Sequence, residues 1–143
     1  MKYIIMTILF FQISIQAKEY QIQMLNSDNG QSMTFSPSYL ELKVGDKVKF
    51  IAKAKGHITH SVYSGDKVTK WSGKTNEEIS VQFDNPGYYI YECKNHGVMG
   101  MAGVIKVGEA KDRTDAINFA QEFEKKFIMN KKRLTQILSK TDS

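Results

Sequence analysis

The chain has 143 residues, 41% hydrophobic and 24% charged, with a formal net charge of +5. That length predicts one compact domain, and the composition excludes wholesale disorder and a multi-span membrane protein. A single cysteine excludes an intrachain disulfide and any four-cysteine zinc or iron–sulfur site. The modest charge, without a basic stripe on a nucleic-acid-binding fold, points away from nucleic acid and toward an acidic partner surface.

Residues 1–17 read as a secretory signal peptide. Lys2 is followed by an apolar run of roughly ten residues and then by Ala17 ahead of Lys18-Glu19, the order of parts in an export leader. The run is too short for a spanning helix, which needs about 20 apolar residues, so no stable membrane insertion is expected. An uncleaved interfacial anchor is the alternative reading. Ile15 stands where a small residue is usual before a cut. A lone cysteine in an exported chain calls for a function.

From residue 20 to residue 107 the pattern has period two. Tyr20, Ile22 and Met24 alternate with Gln21 and Gln23, and Leu40, Leu42 and Val44 alternate with Glu41 and Lys43. Gly45-Asp46 turns the chain into Val48-Lys49-Phe50. Ile79, Val81 and Phe83 lead to the turn Asp84-Asn85-Pro86-Gly87, an aromatic strand over 88–93 and a last strand over 104–107. Alternation buries one face of each strand, and short strands separated by Gly/Pro/Asn turns predict an antiparallel sandwich or barrel.

After Gly108 the period changes. Asp112 and Asp115 are candidate caps, and Ala116, Phe119, Ala120, Phe123 and Phe127 recur at helical spacing. Asn130 is a break and new cap ahead of Leu134, Ile137 and Leu138, which predicts two short C-terminal helices laid on the sandwich. Lys125, Lys126, Lys131, Lys132 and Arg133 read as a solvated face, with docking on an acidic partner or membrane as the alternative.

The chemistry concentrates in Cys93-Lys-Asn-His96-Gly-Val-Met99-Gly-Met101, between the end of one strand and the start of the next. Thiolate, imidazole and thioether on one loop are soft donors, and with a second imidazole they favour copper, in a trigonal plane of two imidazoles and a thiolate with a long axial Met. A distant segment, Lys55-Gly56-His57-Ile58-Thr59-His60-Ser61-Val62, offers that imidazole. Each piece alone is weak, since a buried Cys behaves as a small hydrophobe and a Met in a β protein is usually core. The combination of the one Cys, the loop spacing and the distant His carries the reading.

Those residues resemble the cupredoxin family, and within it the pseudoazurin-like blue copper proteins. The likeness extends through Val44, Gly45, Asp46, Val48 and Phe50, the Lys-Gly-His step, Pro86, Gly87 and Tyr89, the Cys-x2-His-x4-Met loop and the terminal helices. It implies an all-β, antiparallel Greek-key sandwich: a leader over 1–17, a copper domain over 18–108, and C-terminal helices over 109–143 packed on that domain. It also implies one type 1 copper held by His57, Cys93, His96 and Met101. The function implied is a monomeric, periplasmic, non-enzymatic carrier of one electron between redox proteins, such as a nitrite reductase, a c-type cytochrome or a terminal oxidase, docking at the His96 face.

The family's first histidine is usually followed by an Asn that ties its loop to the cysteine loop; here Ile58 follows His57, and its N–H is a candidate donor to the Cys93 sulfur. His60 competes with His57 as first ligand, although the register counted from Phe50 favours His57 without a gap. Asn95 stands where the family has Pro, and Gly97 where it often has Tyr. Gly97, Val98 and Met99 form an expected apolar patch around His96, ringed by Lys53, Lys55, Lys70, Lys74 and Lys94; scattered solvated lysines are the plainer reading. Trp71 reads as a core or rim aromatic. A copper delivery or storage module is the competing function, though five methionines after the leader are few for storage. A copper oxidase fragment lacks histidines for a second copper, and a Cys–His hydrolase lacks an activating third group.

Overall fold

The computed structural model describes residues 16–141, so nearly all of the expected leader lies outside the described residues. The described residues form eight strands and two α-helices: β1 (Glu19–Asp28), β2 (Gln31–Ser36), β3 (Tyr39–Leu42), β4 (Lys47–Ala52), β5 (Thr59–Tyr63), β6 (Ile79–Gln82), β7 (Gly87–Cys93), β8 (Ala102–Val107), α1 (Arg113–Phe123) and α2 (Arg133–Ser139). Two four-stranded sheets, ordered β2-β1-β4-β6 and β3-β8-β7-β5, make the expected sandwich. Two ladders are parallel: β1 with β4, where Ile22 faces Phe50, and β3 with β8, where Leu42 faces Val107. The remaining ladders are antiparallel. Among the described residues no helix is long and apolar enough to cross a membrane.

The period-two pattern explains the core. Ile22, Met24, Val48, Phe50, Val81 and Phe83 are buried between the sheets. Phe50 stacks on Trp71 with ring centroids 5.6 Å apart, and Phe35 meets Tyr91 edge-on at 4.7 Å. All seven residues of β7 are buried, because the strand has two covered faces. Tyr89, Tyr91 and Cys93 enter the sandwich core, whereas Tyr88 and Ile90 lie under the helices with Ala116, Ala120, Leu134 and Leu138. The small Ala116 and Ala120 face the sheet on α1.

Several expectations at the edges need correction. Val44 is 47% exposed, since β3 ends at Leu42. Asp112 occupies the position before α1 without capping it; its carboxylate accepts from Lys67 Nζ (2.6 Å), Tyr63 OH (3.3 Å) and the Tyr88 N–H (2.9 Å). Asp115 falls within the first turn of α1. Asn130 breaks the chain with a φ of +50°, but α2 is capped by Glu124, whose Oε2 accepts the Leu134 and Thr135 N–H groups at 2.7 and 3.1 Å. The basic cluster is not one solvated face. Lys125, Lys131 and Lys132 are exposed, Arg133 is buried, and Lys126 pairs at 2.9 Å with the buried Glu92.

Candidate metal centre

Cys93 closes β7 and opposes Thr59 of β5, so strand pairing alone brings the segment before Thr59 beside the thiol. The Cys93 N–H donates to Met101 O at 2.8 Å, which sets the two ends of the loop side by side. Between them, the N–H groups of Met99 and Gly100 donate to His96 O (3.0 Å) and Gly97 O (2.9 Å), winding Gly97–Met99 into a single 3-10 turn. A loop pinned to rigid strands at both ends holds its side chains better than a free one.

His57, Cys93 and His96 converge, with one donor atom from each lying within 4.8 Å of the others. Cys93 Sγ is 3.7 Å from His57 Nδ1 and 3.4 Å from His96 Nδ1, and the two imidazole centroids are 4.9 Å apart. Met101 is wholly buried in the same core cluster as Cys93 and Ile58. His57 and Cys93 are fully buried, and His96 is half-buried at the rim.

His60 does not join this group. It opposes Glu92 in the β5–β7 ladder, one register position from the Thr59–Cys93 pair and therefore on the other face of the sheet. Its Nε2 lies 3.4 Å from Glu92 Oε1.

The environment of the thiol and first imidazole is specific. The Ile58 N–H points at Cys93 Sγ from 3.5 Å, as the sequence suggested. His57 Nε2 lies 2.9 Å from Asn26 Oδ1. An amide oxygen only accepts, so Nε2 carries the proton and the Nδ1 lone pair faces the sulfur. Burial, with the neighbouring His96 adding to it, holds the His57 pKa below the usual histidine value, which keeps the ring neutral and able to ligate. The tie between the two loops, which Ile58 cannot make with its side chain, is supplied from the opposite side: Asn95 Nδ2 donates to Gly56 O at 2.8 Å. Trp71 is a core residue with a site-facing task, donating Nε1–H to Thr59 Oγ1 at 3.1 Å.

Asn26 and Glu92 escaped the sequence reading. Asn26 lies on β1 with no local signal, and Glu92 alternates out of the core into what looks like a solvent position. Glu92 is instead buried beneath the loop, held by Lys126 and against Gly97. Gly97 is thus buried and does not contribute to the apolar patch. The exposed apolar side chains at the loop are instead Val98 with Ile128 and Met129, joined where the Ile128 N–H donates to Val98 O at 2.7 Å. Lys53, Lys55, Lys70, Lys74 and Lys94 are all exposed.

One thiol, two imidazoles and a buried thioether form a soft donor set with the ligand types of a type 1 copper site, and the residues present fit that ion. The comparisons agree. The family model for copper binding proteins of the plastocyanin/azurin family matches residues 22–108. A pseudoazurin of Methylorubrum extorquens is 34% identical over 107 residues, covering 73% of this chain and 72% of its own length. Among solved structures, a Sinorhizobium pseudoazurin superposes with a TM-score of 0.78 at 34% identity, covering 88% of this chain and 98% of that one. A pseudoazurin from Methylobacterium extorquens AM1 gives a TM-score of 0.74 at 30% identity, covering 87% and 99%. The chain belongs to the plastocyanin/azurin family of copper-binding proteins, in its pseudoazurin branch, and copper is its cofactor.

Proposed function

We propose that this chain is an exported, periplasmic carrier of single electrons, with His57, Cys93, His96 and Met101 holding one copper ion. When bound, copper supplies a one-electron couple between Cu(II) and Cu(I). The chain's own residues do the rest. His57 and His96 would present their Nδ1 atoms to the ion, Cys93 its sulfur, and Met101 its thioether as a weaker fourth donor. Asn26 fixes the His57 tautomer, and the Ile58 N–H withdraws charge from the sulfur. Tyr91, Trp71 and Phe50 exclude water behind the thiol. His96, the half-buried donor, is the exit to partners, framed by Val98, Ile128 and Met129 and by exposed lysines that favour acidic surfaces.

The observation that carries this reading is the convergence of three donors from two rigid segments with the thiol wholly buried. A site that barely rearranges suits electron transfer. Delivery or storage of the ion would require a partner's thiol to reach the metal, and burial of Cys93 and Met101 opposes that exchange. Export to the periplasm rests on the leader read over residues 1–17.

Adding Cu(II) to the metal-free protein tests the reading. An intense blue thiolate band, absent in Cys93→Ser, together with a reversible one-electron voltammogram is the expected result. A colourless complex of one copper per chain would overturn it.

A further inference from the structure

The loop between His96 and Met101 offers three consecutive carbonyl oxygens, and one distant segment takes all three. Val98 O accepts the Ile128 N–H at 2.7 Å, Met99 O accepts Asn130 Nδ2 at 2.8 Å, and Gly100 O accepts Arg133 Nη1 at 2.6 Å. The two side chains also reach β2. Asn130 Nδ2 and Arg133 Nη2 donate to Ser32 O at 3.2 and 3.0 Å, and Arg133 Nη1 donates to Met33 O. The contact is close enough to dictate a glycine: at Gly100, with φ +70°, a Cβ would come within 2.7 Å of Met129 O.

Packing alone does not account for this arrangement. Phe127, Leu134 and Leu138 already bury the helices against the sheet. A buried guanidinium is costly unless its donors are satisfied, and Arg133, 7% exposed, spends them on the carbonyls of two chain segments that its planar fork spans. Asn130 adopts the left-handed conformation that aims its amide at the same pair of segments.

We propose that residues 128–133 are a clamp for the metal loop, with Asn130 and Arg133 as positioning residues that hold the backbone between His96 and Met101 against β2. By fixing that backbone the clamp fixes the approach of Met101, and it keeps the loop in one shape in both oxidation states. The second part rests on the electron-transfer reading above; the first does not.

The test uses Asn130→Gly, which keeps the left-handed backbone and removes only the amide, and Arg133→Lys, which keeps the charge and loses the fork. Phe119→Ala, a partly buried residue of α1 whose ring packs on Tyr63 and Phe123, is the control for general destabilisation. In the metal-free protein, amide hydrogen exchange over 97–101 should quicken by about tenfold or more in the first two variants, while β7 keeps its protection. Phe119→Ala should leave the loop unchanged even where it lowers the melting temperature. With Cu(II), the ratio of the thiolate charge-transfer bands and the reduction potential should shift in the first two variants only. Unchanged loop exchange, equal loosening in Phe119→Ala, or faster exchange with an unaltered spectrum and potential overturns the clamp. Should Arg133→Lys fail to fold, Asn130→Gly decides alone. A parent protein that gives no blue complex refutes the electron-transfer reading, and the exchange data then judge the clamp separately.

Discussion

The Glu92 carboxylate occupies the space that a side chain at Gly97 would fill. Glu92 cannot swing aside freely, because Lys126 holds it at 2.9 Å and His60 lies 3.4 Å away. A methyl group at residue 97 must therefore displace either the ion pair or the loop that carries His96. Gly97→Ala should cost about 1–3 kcal/mol of stability in urea unfolding. Adding Glu92→Ala should recover part of that loss; strictly additive losses would refute the contact.

Asn26 should matter to copper although it does not touch it. Loss of an outer partner of a ligating histidine typically weakens metal binding about 10–100-fold. Asn26→Ala should therefore raise the copper dissociation constant by that order in a competition titration, with little change in fold by circular dichroism. An affinity equal to the parent's would mean that packing alone orients His57.

The two candidate first histidines separate cleanly by substitution. His57→Ala should abolish the blue band and His60→Ala should keep it, because His60 faces Glu92 across the sheet from the thiol. The opposite pattern would transfer the ligand role to His60.

Acid sensitivity has an identifiable source in Asp112. Burial raises its pKa, but hydrogen bonds from Lys67 and the Tyr88 N–H outweigh that and hold it below the ordinary aspartate value. The folded state thus binds fewer protons than the unfolded chain as pH falls through this range. The stabilisation is complete above about pH 4 and is lost as pH falls through the depressed folded value. Asp112→Asn should lower the melting temperature by roughly 5 °C at pH 7. That difference should shrink below pH 4 in calorimetry; a constant gap down to pH 2 would exclude a charge effect.

The alternating strands β1, β3, β4 and β6, and the apolar runs of β7 and β8, were legible in the sequence, whereas β2 and β5 were not. In β2, Thr34 and Phe35 are buried side by side and Met33 has a φ of +47°, so period two is broken. In β5 the register shifts between Ser61 and Tyr63. The donors were legible because soft ligands at fixed loop spacing are rare by chance. Asn26, Asn95 and Arg133 were not, since an isolated polar residue carries no trace of a partner 31, 39 or 33 residues away. Arg133 was further hidden among lysines that do face solvent.

The parallel pairing of β3 with β8 has a kinetic consequence. It closes a long stretch of chain, and non-local pairings of this kind form late because loop closure must precede the contacts that reward it. Until the two sheets close on one another, the thiol of Cys93, which the folded chain buries completely, stays open to solvent. The unfolded chain therefore passes through a window in which its one sulfhydryl is open to oxidants and mixed disulfides. The finished sandwich ends that vulnerability, so under oxidising conditions the speed of folding governs how many molecules remain able to take up metal.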